Sequence, residues 1–387
     1  MRFIFFGPVV FLFYAGICAY IGTRLLGFIR GFLPDTGALL FWLPFAFLCC
    51  ALVFVNFFRH NLLFLRKAGL FWMAILVYLL LLFALSDLSR LVLFIIGKNI
   101  PKFNFYSGGI SLVVCALLIL YGTLHVRSIH TVNYQITMPV REHAPAMQDM
   151  RIALISDLHI GPAVDRKWVK NIVDTINRAQ PDIVCIAGDI FDGNVDAIAD
   201  VQGVISELKL IQAPMGVYAC LGNHDVDRML QGGIGRITEI LHEAGVVVLQ
   251  DEVRKIRENL FLAGRKDARP IGMNAGRKTS EELCAGIDGT IIVLDHQPVQ
   301  FPQLEQAGAD LVLSGHTHAG QLFPANLLTR VIFKKSGATH YGYWQGAERA
   351  KAPMQAVVTS GAGFWGPPVR IGTNSEVVVI NVHFAQN

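Results

Sequence analysis

The stretch ADLVLSGHTH, residues 309–318, is a short apolar run that stops abruptly in polar residues, two of them histidines one residue apart. Short apolar runs bounded by turn formers read as strands buried on both faces. Four other stretches have the same form: RIALISD (151–157), DIVCIAGD (182–189), GVYACLGNHD (216–225) and TIIVLDH (290–296). Amphipathic helical patterns lie between and after the first three, at about Arg166–Ala179, Ile198–Leu208 and Arg228–Ala244. Further strands are expected at Val246–Leu249, Leu260–Gly264, Ala356–Thr359 and Glu376–Val382. Strands that alternate with helices predict an α/β domain. The polar residues all fall at the C-terminal ends of the buried runs, the edge at which open α/β sheets bind ligands. A single aspartate there is ordinarily a turn former or helix cap. Five such ends carrying Asp, His and Asn exceed what turn chemistry requires.

Composition divides the chain. It has 387 residues and is 53% hydrophobic, above the roughly 45–50% of soluble proteins. Residues 1–130 hold ten Lys/Arg against two Asp/Glu, and residues 131–387 hold 23 against 27. Apolar stretches at about Phe3–Tyr20, Ala38–Phe58, Ala68–Leu85 and Gly108–Val126 come near the roughly 20 residues a membrane helix needs. The expected organisation is a four-helix transmembrane domain over 1–126, a linker over 127–150 in which VNYQITMP becomes an edge strand, and the α/β domain over 151–387. No small-residue cleavage site follows the first stretch, which argues against a signal peptide.

Asp87 and Arg90 read as an interfacial i,i+3 pair, and no other ionisable pair within the spans marks a transport path. That disfavours a transporter. With the N-terminus inside, five flanking cations (Arg2, Arg59, Arg66, Lys67 and Arg127) face inward against four outward. The expectation is a multi-pass protein of the cell (inner) membrane with its α/β domain in the cytoplasm. The mild acidity of that domain argues against a nucleic-acid partner. Seven cysteines without a CxxC pattern read as buried free thiols.

The polar strand ends form a mixed set. Asp157 and His159 are two apart, a spacing that aims both one way along a strand. Asp189 ends the second run; Asn223, His224 and Asp225 the third; His296 the fourth; His316 and His318 the fifth. Carboxylate and imidazole donors without thiolate suit Mn, Fe, Zn or Ni. The set is too large for one tetrahedral ion. It suffices for two divalent metal ions that share a carboxylate, an arrangement that clamps the attacking and leaving oxygens of a phosphoryl displacement. Gly315 and Gly320 are expected to let the backbone come close to the site.

DLH (157–159), GDIFD (188–192), GNHD (222–225), His296 and GHTH (315–318) together resemble the calcineurin-like metallophosphoesterases, in the family's order. GAGFWGPPVRIGTNSEVVVINV (361–382) resembles a branch with membrane-anchored bacterial members. The resemblance implies a four-layer α/β/β/α sandwich. It implies that Asp157, His159, Asp189 and His318 hold a first metal, that Asp189 bridges, and that Asn223, His296 and His316 complete the second. His224 would not be a ligand but would donate to the leaving oxygen, and Asp192 would orient it. Asp225 stands where many members have Glu and takes a supporting role. The implied reaction is hydrolysis of a phosphoester by in-line attack of metal-bound hydroxide, and anchoring beside the bilayer points to a lipid-linked substrate.

Two rival readings are a UDP-diacylglucosamine-type pyrophosphatase of lipid A synthesis and a membrane sensor or scaffold with a structural metal site. A structural site has no use for the proton donor His224. Of the remaining motifs, RKDAR (265–269) reads as a solvated loop. Tyr341, Tyr343 and Trp344 form an aromatic run that is a candidate lining of a substrate cleft, and the Phe364–Trp365 pair is a candidate to rim the active site or touch the membrane.

Overall fold

The computed structural model describes residues 3–51, 54–55, 63–140, 147–192, 195, 198–226, 233–268, 276–346 and 353–386. Two compact units divide the chain: Met1–Leu124 with Gly366–Val369, and His125–Trp365 with Arg370–Asn387.

The first unit is helical. It contains α1 (Phe3–Arg30), α2 (Ala38–Cys49), α3 (Leu63–Ile95) and most of α4 (Phe103–His125). Among the described residues, three helices are long and apolar enough to cross a membrane: Pro8–Arg30, Phe64–Ile95 and Phe103–His125. The second expected span appears as the 12-residue α2, and the rest of that stretch falls largely on residues 52–53 and 56–62, outside the described residues. Asp87 does not pair with Arg90 as its spacing suggested. It forms an ion pair with Arg24 of α1 and accepts a 2.6 Å hydrogen bond from the Tyr20 hydroxyl, while Arg90 reaches the Asn104 side chain at 3.4 Å. A carboxylate amid apolar helices is stabilised most by a cation and a hydroxyl that packing brings against it, and here both come from α1.

The second unit carries twelve strands among the described residues. In chain order the elements are β1 (Ile129–Val140), β2 (Met150–Ile155), α5 (Arg166–Arg178), β3 (Ile183–Ala187), α6 (Val201–Leu208), β4 (Val217–Cys220), α7 (Gly233–Glu243), β5 (Val246–Val248), β6 (Glu252–Arg257), β7 (Leu260–Gly264), α8 (Ser280–Cys284), β8 (Thr290–Leu294), α9 (Phe301–Ala307), β9 (Leu311–Ser314), α10 (Ala325–Lys335), β10 (Gly342–Gln345), β11 (Gln355–Val358) and β12 (Ser375–Gln386). One six-stranded sheet has the order β1-β12-β2-β3-β4-β5, the other β10-β11-β9-β8-β7-β6. Both are mixed: β12 runs antiparallel to β2, and β10 and β6 run antiparallel to their neighbours.

The strand alternation builds the layers. Ile152 and Leu154 of β2 join Leu262, Ile292, Leu294, Leu311 and Leu313 of the second sheet in one core between the sheets. Ala153 and Ile155, on the opposite face, pack on Val169, Ile172 and Ile176 of α5 and Val204 and Leu208 of α6. Val293 and Val312 of the second sheet pack outward on Phe301 and Leu304 of α9. Three cores separate four layers, α/β/β/α. The helices start where their caps allow: Asp165 accepts from Trp168 N at α5 and Asp200 from Gly203 N at α6, satisfying amides the helix itself cannot. The seven cysteines are free, and Cys185, Cys220 and Cys284 are buried.

β1 lies at the edge of its sheet, and the reading of the aromatic run changes. Residues 127–150 hold a 12-residue strand, β1, paired along its length with β12. Tyr343 and Trp344 belong to the edge strand β10, where Trp344 packs on the core around Phe301. Strand membership, rather than a cleft, accounts for Trp344.

Leu313 is fully buried one residue before the end of β9. Leu313→Ala is expected to destabilise the domain by about 2–5 kcal/mol through the cavity it leaves, read as a shifted denaturation midpoint of the purified protein.

Candidate metal centre

Every expected donor stands just past the C-terminal end of a strand: Asp157 and His159 after β2, Asp189 after β3, Asn223 and His224 after β4, His296 after β8, His316 and His318 after β9. The first three strands belong to one sheet and the last two to the other. The site therefore forms where the two sheets' C-terminal edges meet.

Asp157 and His159 do not take a common direction from strand spacing. β2 ends at Ile155, and both residues adopt left-handed backbone, φ 51° and 48°. Asp189, His316 and His318 do the same, at φ 51°, 73° and 49°. Such conformations cost on the order of 1–3 kcal/mol each for a side-chain-bearing residue and persist only where surroundings enforce them. The enforcement is visible. Asp157 N donates to Gly188 O and His159 N to Asp189 O. His316 N donates to the Asp157 carboxylate at 2.9 Å and His224 N to Asp189 Oδ1 at 2.8 Å. Each carboxylate thus holds the backbone of another donor loop.

The donor atoms converge in overlapping groups. Asp157, His159 and His318 offer atoms mutually within 4.8 Å, as do Asp189, His296 and His316, and also His159, Asp189 and His224. His159 Nε2 lies 3.1 Å from His318 Nε2 and 3.9 Å from Asp189 Oδ2, and His318 Nε2 lies 3.4 Å from Asp157 Oδ1. His296 Nε2 stands 3.1 Å from Asp189 Oδ2, and its Nδ1 pairs with Ala187 O at 2.8 Å. That second contact fixes the ring so that Nε2 is the atom turned to the cluster.

The donor set fits divalent cations. Bonds of about 2.0–2.2 Å let two donors of one ion stand up to about 4.4 Å apart, and the donor pairs here stand 3.1–4.0 Å apart. The side-chain oxygen of Asn223, Oδ1, is buried without a hydrogen-bond partner, a cost that a cation would remove. Burial, with the neighbouring cations, pushes His318 well below the ordinary imidazole range, and burial likewise lowers His159. Both shifts favour the neutral ring, the form that ligates. Burial raises the Asp157 carboxyl. It opposes ionisation of Asp189 too, but His296 and the other imidazoles outweigh it and hold that carboxyl below its usual range.

His224 lies at the mouth, its Nδ1 3.6 Å from Asp192 Oδ1. Burial works against its charged form, yet the Asp192 and Asp189 carboxylates outweigh it and raise the ring above the ordinary imidazole value. The exposed Trp365 ring packs edge-on against it at 5.9 Å. Asp225 is not among the converging donors. It is fully buried and accepts from Ile190 N, Phe191 N and Gly222 N at 2.9–3.0 Å. It staples the Asp189 loop to the Asn223 loop, and burial beside Asp189 lifts its carboxyl to about 7. A Cβ at Gly315 would run into the Ser156 hydroxyl and the Asp157 carboxylate, which is the close approach its position suggested.

The sequence reading missed three arginines. Arg370 is fully buried and donates to Ser360 O at 2.6 Å and Gly363 O at 2.8 Å, with His318 O at 3.4 Å. It ties the C-terminal loop to the His318 backbone. Arg265, expected in a solvated loop, is buried and paired with Asp295 at 2.9 Å; Arg277 reaches the same carboxylate at 2.5 Å. Asp295 immediately precedes His296, so two guanidinium groups anchor the strand end that carries that donor. No local pattern marks these arginines: Asp295 is 30 residues from Arg265 and 18 from Arg277, and the partners of Arg370 are backbone carbonyls.

A family profile described as calcineurin-like phosphoesterase matches residues 150–320. A transmembrane protein with metallophosphoesterase domain from Danio rerio is 31% identical over 283 residues, covering 70% of this chain and 61% of that protein. The chain thus spans less than two thirds of that relative. An uncharacterized metallophosphoesterase of Campylobacter jejuni is 28% identical, covering 76% of both chains. One from Aquifex aeolicus is 29% identical, covering 70% of this chain and 97% of its own.

Gly315→Ala is expected to displace the Asp157 carboxylate and lower the metal retained per chain, measured by elemental analysis, while circular dichroism stays unchanged. Asp225→Asn keeps the shape but turns a donor toward peptide N–H groups. It should cost about 1–3 kcal/mol of stability, seen as an earlier thermal midpoint.

Proposed function

We propose, on the premise that residues 150–320 are a calcineurin-like metallophosphoesterase domain, that the protein is a membrane-held, divalent-metal-dependent hydrolase of phosphoesters. The observation that carries this reading is the meeting of Asp157, His159 and His318 with Asp189, His296 and His316 in adjoining donor groups. Asp157, His159, Asp189 and His318 are assigned to one ion. Asn223, His296 and His316 are assigned to a second, with Asp189 common to both. Mn, Fe, Zn and Ni all suit these donors.

Divalent cations bound there supply polarisation of the phosphoryl oxygens and a water acidified toward neutral pH. The chain's own residues do the rest. His224 is the proton donor to the leaving oxygen: Nδ1 faces Asp192, so Nε2 is the nitrogen that hands over the proton. Asp192 sets the ring's orientation and favours its charged form. Asp225 keeps the Asp189 and Asn223 loops in register. Trp365 offers an apolar surface beside the reacting group. With helices fit to cross a membrane elsewhere in the chain, that surface supports a lipid-linked or otherwise amphipathic phosphoester as substrate.

The test uses the full chain in detergent, stripped by chelator and refilled separately with Mn, Fe, Zn or Ni. Aryl phosphomonoesters, aryl phosphodiesters, a phosphatidic acid and UDP-diacylglucosamine are assayed side by side. Turnover is expected to vanish on stripping and return on refilling. His224→Ala should lower kcat by about 10²–10⁴-fold with metal content intact, whereas Asp189→Asn should lose metal as well. A refilled protein that retains its ions yet turns over none of the four would overturn the hydrolase assignment and leave the sensor or scaffold reading standing.

A further inference from the structure

Helix α10 is built the wrong way round for a helix of a water-soluble domain. None of its eleven residues is buried. Leu327, Leu328, Val331 and Ile332, spaced as one helical face, are each more than half exposed, and Phe323 just before the helix is 48% exposed. Asn326, Thr329 and Phe333 occupy the half-buried positions. An amphipathic helix packed on a soluble core presents the opposite arrangement, and an exposed aliphatic face of this extent marks a surface that meets another apolar phase.

Charge points to which phase. Arg330, Lys334 and Lys335 lie on the same helix and are exposed. No Asp or Glu occurs anywhere from Leu311 to Ala347, although residues 131–387 as a whole are net acidic. A short helix with aliphatic residues on one side, cations beside them and aromatic residues at its margin has the make-up of a helix lying in a membrane interface. Lysines there extend their stems along apolar surface and keep the ammonium among headgroups. The chain carries its own candidate membrane spans, so a bilayer is present at high effective concentration.

The surface also continues to the candidate metal centre. Gln321, two residues before Phe323, is bonded both ways to the Trp365 backbone, at 2.9 Å and 3.0 Å. The Trp365 ring is 55% exposed and lies against His224.

We propose that α10, with Phe323, is an interfacial helix that seats its Leu327, Leu328, Val331 and Ile332 face at the headgroup–acyl boundary of an anionic bilayer, its three cations pairing with lipid phosphates. Trp365 then places the mouth of the site at the lipid surface. The proposal holds whichever phosphoester the site takes, so it can fail independently of the hydrolase assignment.

The test places the photo-crosslinking residue p-benzoylphenylalanine at position 328 of the full chain in nanodiscs containing phosphatidylglycerol, with position 258 on the β6–β7 turn as the exposed control. Mass spectrometry of the irradiated protein is expected to show a lipid adduct at 328, several-fold above that at 258. Combined Arg330→Gln, Lys334→Gln and Lys335→Gln should reduce the adduct several-fold in phosphatidylglycerol discs and leave it unchanged in phosphatidylcholine discs. A lipid adduct at 328 no greater than at 258 would overturn the proposal. An adduct of 328 with a second copy of the chain in place of lipid would also overturn it, and would assign the face to self-association.

Discussion

Two carboxylates, Asp157 and Asp189, sit in a protein interior with almost no water to share their charge, and the rest of the site is an answer to that problem. A buried carboxylate is tolerated only when hydrogen bonds and positive charge surround it. Peptide N–H groups of His316 and His224 supply part of the answer, and the His296 ring supplies another. Each of those contacts also fixes a loop from a different strand. Neutralising the two charges and assembling the donor cluster are therefore one event. The same loops are bent into left-handed backbone, which the carboxylate contacts hold in place.

The layered fold was largely legible in the sequence because the central strands are buried on both faces. RIALISD, DIVCIAGD, TIIVLDH and ADLVLSGHTH have no polar interruption until the residue that leaves the sheet, so both strand and site edge could be read from composition alone. Strands outside that regime were read less well. β6, a mixture of half-buried and exposed residues, carries no such run, and β10 reads first as a cluster of aromatic residues. The position of β12 between β1 and β2 depends on pairing across more than two hundred residues, which no local pattern records.

The candidate site was legible in its residue types and not in its geometry. The spacing of Asp157 and His159 suggested a common direction along a strand, yet the chain has already left the strand at Asp157 and turns by left-handed backbone instead. Arg265, Arg277 and Asp295 were invisible because a buried ion pair has no periodicity, and Arg370 because its partners are backbone carbonyls, which no residue type marks. The i,i+3 spacing of Asp87 and Arg90 was equally silent about the Arg24 that takes Asp87 instead. α10 was missed for a related reason: its aliphatic residues obey helical spacing, but they face away from the domain core.

The pairing of β12 has a consequence for how the chain is made. β12 fills the gap between β1, which directly follows α4, and β2. Until residues 375–386 have been synthesised, β2 has one unpaired edge and β1 has no neighbour in its sheet. Unpaired edges invite pairing with foreign strands. The nascent chain must therefore hold an open sheet through the synthesis of almost everything that follows β2. Closure of that sheet waits for β12, so a chain truncated before β12 would keep both edges open for its whole lifetime.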